Sequence, residues 1–215
     1  DAKPSPQVRA ILTQLTADPK NTVVVISGRD QQTLEAWLGD LPLRVIAEHG
    51  LSYRDESGSW HTHQPDTSWK PTVRKIMQPH CDNIPGTFIE EKMASLCWHY
   101  RNASDPAQVT LALKKLHAEL AQVVGEASLR VLSGNMVLEV QAGGIDKGAS
   151  VLEWLNPQHT FTLAAGDDIT DEDLFRALPP DAFTIKVGEG ESEATLHVTD
   201  PDAMLDLLQT LLGST

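Results

Sequence analysis

The sequence predicts an α/β fold, a doubly wound parallel sheet with a smaller α+β unit inserted into it, and three observations carry that expectation. Short apolar runs at 22–26 and 161–165 are continuous rather than alternating, the pattern of strands buried on both faces. Helical apolar spacing flanks each run, so both ends of the chain read as alternating helix and strand. Between them the order changes to αββαββ, bounded by a Gly/Ser/His/Pro-rich stretch from Ser52 to Pro65 and by Gly143-Gly144. A core over 1–65 and 143–215 is therefore expected, with an insert over 66–142 and hinges near Asp66 and Gly143-Gly144.

The elements follow in order. Val8, Ile11, Leu12 and Leu15 stand at helical spacing behind Ser5 as N-cap and Pro6 at the first helical position. After the strand Thr22 to Ile26, Asp30 caps a helix carrying Leu34, Trp37 and Leu38, and Arg44 to Ala47 reads as a strand. His61 and His63 alternate in an exposed hairpin without nearby carboxylate partners. The insert comprises a helix from Trp69 to Cys81, strands Thr87 to Lys92 and Ser95 to Arg101, a helix from Pro106 to Val124, and strands Ser128 to Leu132 and Met136 to Gln141. A helix from Lys147 to Leu155, a strand from Phe161 to Ala165 and a helix from Thr170 to Leu178 come next, Thr170 and Asp173 standing in capping-box spacing. Strands Phe183 to Val187 and Leu196 to Thr199 precede a last helix opened by Asp200 and Pro201. Both flanks are expected to share one sheet.

Composition narrows the function. Among 215 residues, 30 acidic against 17 basic side chains give a net charge of −13, which repels phosphate backbones and argues against nucleic-acid binding. No apolar run approaches the roughly 20 residues that span a bilayer, and no signal peptide opens the chain, so a soluble cytoplasmic protein is expected. Cys81 and Cys97 sit in no metal-binding spacing and read as packing residues of a reducing compartment.

Gly166-Asp167-Asp168 through Asp173 gathers carboxylates at a strand's C-terminal end, where open α/β sheets bind ligands, and hard oxygen donors there suit Mg²⁺. For Asp171, Glu172 and Asp173 the alternative is macrodipole stabilisation, worth about 0.3–1 kcal/mol each. Ser27 in Ile26-Ser27-Gly28-Arg29-Asp30 is either a phosphoryl-binding hydroxyl at a second strand end or a cap. Lys147 stands at a third strand-to-helix junction, either solvated or placed to neutralise developing charge. In the insert, Glu90 and Lys92 share one strand face, as do Cys97, His99 and Arg101 on the next. They, with Glu139 in the run Met136 to Val140, form either a solvated surface or a polar grip on a hydroxyl-rich ligand.

These junctions, in this order around an αββαββ insert, resemble the haloacid-dehalogenase phosphatases with the larger, C2-type cap, and more narrowly the trehalose-6-phosphate phosphatases. The likeness is carried by Ile26 to Asp30, Ala47-Glu48-His49-Gly50, Phe88 to Lys92, Trp98-His99-Tyr100-Arg101, Val137 to Val140, Asp146-Lys147-Gly148 and Gly166 to Asp173. It implies a Rossmann-like phosphatase core with a cap that closes to exclude water and select the sugar. It further implies Ser27 on the phosphoryl group, Lys147 steadying an aspartyl-phosphate, and Mg²⁺ held by Asp167 and Asp168 with Asp171 in support. Arg29, Glu90, Lys92, Arg101 and Glu139 would contact the substrate. Asn135 stands where many members carry a basic residue, so one sugar contact is altered.

The family's first motif, D-x-D-G-T, which carries nucleophile and general acid, is not in these residues. With no initiator Met before Asp1, the expectation is that the motif lies upstream. The implied reaction is hydrolysis of trehalose 6-phosphate, with fusion to or association with a trehalose-phosphate synthase as a further expectation. The alternatives are a catalytically silent trehalose-6-phosphate-binding regulatory domain and a phosphatase for another sugar phosphate, such as a sucrose or mannosyl-glycerate ester.

Overall fold

A computed structural model describes residues 3–125, 129–144, 147–152, 154–156 and 158–213. By contacts the chain forms two compact units, 1–63 with 146–215, and 64–145.

The first unit opens with α1 (Pro6–Ala17), capped by the Ser5 hydroxyl, which accepts from the Val8 amide at 3.2 Å. Then come β1 (Val24–Ile26), α2 (Gln31–Leu38), β2 (Arg44–Ala47), a 3₁₀ turn (Glu48–Gly50), β3 (Ser52–Arg54) and β4 (Trp60–Thr62). β1 and β2 pair in parallel, and the antiparallel hairpin β3–β4 extends the sheet in the order β1-β2-β3-β4. Leu34 and Leu38 of α2 pack with Leu41, Leu43, Val45 and Ala47, burying one face of β2. Buried Arg54 donates to the carbonyls of Leu38, Leu41 and Leu43, which ties the end of α2 and the turn after it to β3.

The unit resumes with α5 (Lys147–Leu152), β9 (Leu163–Gly166), α6 (Asp171–Ala177), β10 (Phe183–Val187), β11 (Leu196–Val198) and α7 (Pro201–Gly213), the numbers left over belonging to the second unit. β9, β10 and β11 form a parallel sheet with β10 central. Val151, Leu174 and Phe175 cluster with Ile26 and Ala164, and Met204 of α7 packs on Ile185 and Val187. Gly148 brings α5 against α6: a Cβ there would lie 2.4 Å from the Asp173 carbonyl oxygen.

Two expectations are corrected here. The flanks form two sheets rather than one, because among the described residues β1 pairs only with β2 and β9 only with β10. For the same reason β1 is half-buried along its length and Ala165 of β9 is exposed, instead of the full burial that their apolar sequences predict. The helix after Lys147 ends at Leu152, short of Leu155. Asp146 and Ser128, named above, lie outside the described residues.

The second unit holds α3 (Lys70–Asn83), β5 (Phe88–Glu91), β6 (Ser95–His99), α4 (Pro106–Val124), β7 (Leu129–Gly134) and β8 (Val137–Ala142), in αββαββ order. Its antiparallel sheet runs β5-β6-β8-β7. Leu96, Trp98, Leu138 and Val140 point to one face and pack on Val73 and Met77 of α3 and Leu116 and Leu120 of α4. Period two then sends Glu90, Cys97, His99 and Glu139 to the opposite face. The register sets Glu90, Cys97 and Glu139 in one row across β5, β6 and β8.

Candidate active site

Three junctions of the first unit assemble the site. At the end of β1, the Ser27 hydroxyl oxygen accepts from the Arg29 amide at 3.2 Å, which leaves its own proton to donate to a ligand. The Ser27 carbonyl takes the His49 amide at 3.0 Å, tying this turn to the end of β2. There Glu48 and His49 adopt left-handed backbone, φ 48° and 60°, a conformation that costs non-glycine residues energy and concentrates at functional sites. The His49 ring lies so close to Gly28 that a Cβ would sit 2.3 Å from its Nε2, so any larger residue there would have to displace the ring. Asp30, beyond the turn, caps α2 by accepting from the Thr33 hydroxyl at 2.7 Å and amide at 2.8 Å, and those two bonds hold its pKa below the ordinary carboxylate range.

α5 packs against the Glu48–Gly50 turn and carries Lys147, only 4% exposed. Its ammonium donates to Asp171 Oδ1 at 2.7 Å and reaches both Asp168 oxygens at 3.4 Å. Asp171, 6% exposed, accepts from the Asp168 amide through its other oxygen at 3.0 Å. Its side chain fills the space over Gly166, where a Cβ would meet Asp171 Cγ at 2.2 Å. Asp168 Oδ1 accepts from the amides of Thr170 and Asp171, at 2.7 and 3.2 Å, and from the Thr170 hydroxyl. Burial pushes the Asp168 pKa up, but the Thr170 hydroxyl and the Lys147 charge outweigh it, and the group lies below its ordinary value.

Asp167 differs from these neighbours. It is exposed at the C-terminal end of β9, and among the described residues its carboxylate has no partner. Its carbonyl oxygen accepts from buried Lys186 of β10 at 2.6 Å, which fixes the backbone below it. A free carboxylate beside an ordered acidic turn suits a hard cation that keeps several waters, as Mg²⁺ does. Asp168 and Asp171, whose oxygens are largely committed to Lys147 and backbone amides, order that turn. Glu172 accepts from the Ser192 hydroxyl and the Glu193 amide, both at 2.8 Å, so it anchors a neighbouring loop rather than serving the helix dipole alone.

Several readings shift. Thr170 makes no side-chain cap: its backbone is helical and its hydroxyl donates to Asp168, which caps α6 instead. His61 does have a carboxylate partner, Asp55 Oδ2 at 2.6 Å, because the hairpin folds the two together. Arg29 lays its guanidinium over the Trp37 ring, 4.7 Å from the centroid. Lys186 does not stand out among the candidate residues of the sequence, and the loop-anchoring part of Glu172 is not legible there. A lysine inside the apolar run Phe183 to Val187 was the available signal for Lys186.

On the second unit, Glu90 Oε2 meets His99 Nε2 at 2.7 Å, and Phe88 stacks on the His99 ring. Arg101 donates to the Asn135 carbonyl at 3.2 Å. Lys92 sits in the turn between β5 and β6, where buried Lys70 of α3 donates to the carbonyls of Lys92 and Met93. Glu139 is half-buried opposite Cys97.

The core sheets with helices packed on them, the αββαββ insert and the acidic turn after β9 make up a haloacid-dehalogenase-like fold. A haloacid dehalogenase-like hydrolase from B. subtilis superposes with a TM-score of 0.67 at 14% identity over 96% of this chain and 93% of that one, a likeness of fold. The trehalose-phosphatase family model matches residues 1–202, and the chain belongs to that family. The C-terminal domain of the C. albicans trehalose-6-phosphate phosphatase is 32% identical with a TM-score of 0.85, covering 99% of this chain and 85% of that one. A bifunctional trehalose-6-phosphate synthase/phosphatase of Thermoproteus tenax is 37% identical over 214 residues, 98% of this chain but 29% of the relative's length. The chain thus spans less than a third of that curated relative. Among the described residues no helix is long and apolar enough to cross a membrane.

Proposed function

We propose that the chain is the phosphatase part of an enzyme that hydrolyses trehalose 6-phosphate to trehalose and phosphate with Mg²⁺. The observation that carries this reading is the Lys147–Asp171–Asp168 cluster beside the unpartnered Asp167. It puts a buried cation and a free hard ligand at the strand ends where a phosphoryl group binds. In this reading the first unit is the phosphatase core and the second the cap. Cytoplasmic location and association with a trehalose-phosphate synthase belong to the same proposal, the latter resting on the bifunctional relative.

Each residue has a stated part. Ser27 donates its hydroxyl proton to a phosphoryl oxygen, and Arg29 adds positive charge near the same junction. Lys147 neutralises charge on the phosphoryl group while Asp171 holds its ammonium in place. Asp167 would hold Mg²⁺, with Asp168 and Asp171 ordering the turn around it. When bound, Mg²⁺ offsets the repulsion between carboxylates and phosphate, which is large at a few Å in a low-dielectric cleft. Glu90 and Glu139 on the polar face of the second unit, with Lys92 in the turn after β5 and Arg101 just past β6, contact the sugar hydroxyls.

The attacking carboxylate and the general acid are assigned to a D-x-D-G-T segment outside the 215 residues. The carboxylate oxygen attacks phosphorus as the ester bond to the sugar breaks, the acid protonates the departing sugar oxygen, and water then cleaves the acyl phosphate. Support comes from β1 and β9, each hydrogen-bonded along one side only among the described residues, since such edges accept a further strand. The second reading is a catalytically silent trehalose-6-phosphate-binding domain, which would use the same ligand contacts.

Calorimetric titration of the chain with trehalose 6-phosphate tests the binding that both readings share. Binding stronger than that of glucose 6-phosphate, weakened in Ser27→Ala and in Glu139→Gln, is expected. Equal affinity for the two esters, or no effect of either substitution, would contradict the assignment.

A further inference from the structure

We propose that Glu90, Cys97 and His99 form a binding site for a thiophilic divalent cation, Zn²⁺ in the first instance, on the polar face of the second unit. One carboxylate oxygen, the Cys97 sulfur and one ring nitrogen of His99 all lie within 4.8 Å of one another. In tetrahedral zinc sites, with Zn–S about 2.3 Å and Zn–N about 2.0 Å, such atoms stand about 3.5 Å apart. Side-chain rotations of about an ångström therefore close the set around an ion. Glu90 Oε2 and His99 Nε2 are nearer still, at 2.7 Å, a contact that a metal between them would replace.

The backbone holds these donors without help from the ion. Cys97 and His99 are two apart on β6 and share a face, and the register puts Glu90 of β5 directly beside Cys97. Phe88 stacks on the His99 ring with centroids 4.6 Å apart and planes 14° from parallel, which fixes the imidazole. The Cys97 side of the strand pair is also a negative site: Glu139 stands opposite Cys97 on β8. Burial first, then Glu139, raises the Cys97 thiol pKa to about 12, with Lys92 and the Ser95 hydroxyl opposing and Glu90 adding a smaller share. The Glu139 and Glu90 charges that disfavour a bare thiolate favour a cation, and a bound metal deprotonates its thiol ligand outright.

The donor chemistry selects the ion. Sulfur and imidazole with one carboxylate suit Zn²⁺ over Mg²⁺, which requires octahedral oxygen. Three protein ligands leave a fourth position for water or an incoming ligand. Asp167 and this cluster would therefore sort two metals by hardness rather than compete for one.

A consequence rests on the phosphatase reading: since Glu90 is also a proposed sugar contact, Zn²⁺ on it competes with the sugar phosphate. Metal binding itself does not depend on that reading, and the experiment separates the two. The whole chain, saturated with Mg²⁺, is titrated with Co²⁺ and then with Zn²⁺ while thiolate-to-cobalt charge transfer is recorded. One equivalent with a charge-transfer band that Zn²⁺ abolishes is expected. Cys97→Ser should remove the band, His99→Gln should weaken binding about a hundredfold, and Cys81→Ser should change neither. No band in the unaltered chain, or binding that survives both Cys97→Ser and His99→Gln, overturns the site whatever the enzyme's substrate. Trehalose 6-phosphate affinity that Zn²⁺ lowers in the unaltered chain and leaves alone in Cys97→Ser supports the competition. A band with no effect of Zn²⁺ on sugar-phosphate binding retains the metal site and overturns the competition.

Discussion

Replacing Lys147 by Met tests whether the buried cation organises the acidic turn. Methionine keeps the length of the stem and removes the charge, so lost packing contributes little. Asp171 is left 6% exposed with its Oδ1 stripped of a partner 2.7 Å away. Breaking a buried pair from one side typically costs about 3–5 kcal/mol. The Asp168 amide continues to serve Oδ2, which places the loss near the lower end, about 3 kcal/mol. With a urea slope of about 2 kcal/mol/M, the midpoint of the first unit's transition should fall by about 1.5 M. The assay is a double-mutant cycle with Asp171→Asn. Once Lys147 is gone, neutralising Asp171 removes the orphaned charge, so the double variant should be about 2 kcal/mol more stable than the two single losses predict. Additive losses, with an interaction below about 0.5 kcal/mol, would refute the claim that the pair acts as a unit.

Other expectations follow from the same geometry. Gly148→Ala pushes a methyl group against the Asp173 carbonyl, and because backbone cannot rotate away it should cost about 1–3 kcal/mol in thermal melts. Lys70→Met leaves the Lys92 and Met93 carbonyls without their buried donor; about 2 kcal/mol and faster amide exchange across 92–95 should follow, with weaker sugar-phosphate binding. Asp30 has a folded pKa below its unfolded value, so its contribution is complete above the ordinary carboxylate range and is lost as pH falls through the folded value. Asp30→Asn keeps the cap but not the titration, so its melting temperature should fall less steeply than that of the unaltered chain in acid. Identical slopes would contradict this.

Particular residues show why parts of this arrangement were legible in the sequence. Ser5, Asp30 and Asp200 each precede a helix with apolar periodicity, and local capping chemistry needs no tertiary information. The αββαββ order was similarly legible, because strand and helix periods differ within the insert. The separation of the core strands into two sheets was not. Apolar runs such as Val24 to Ile26 report a preference for burial, and nothing local says whether both edges find a partner. Thr170 misled for a related reason: capping-box spacing is a local pattern, yet Asp168 two residues earlier captured both the amides and the Thr170 hydroxyl. Asp55 met His61 only once β3 and β4 had paired. Ser27, Lys147 and Asp167 stood out because each sits at a strand-to-helix junction. Lys186, Glu172 and Lys70 act through contacts that join distant segments, and a charged residue in an apolar run or a helix start was the faint signal each left.

The central claim, that these residues carry the metal-assisted half of a sugar-phosphate phosphatase, is tested most directly by phosphate release from trehalose 6-phosphate. The measurement uses the 215 residues joined behind a D-x-D-G-T strand segment, with Mg²⁺. The account predicts release that is lost with the segment's first Asp changed to Asn and, separately, in Asp167→Asn. No release, despite tight binding of trehalose 6-phosphate and native-like thermal stability, would contradict it and assign the chain to a binding role.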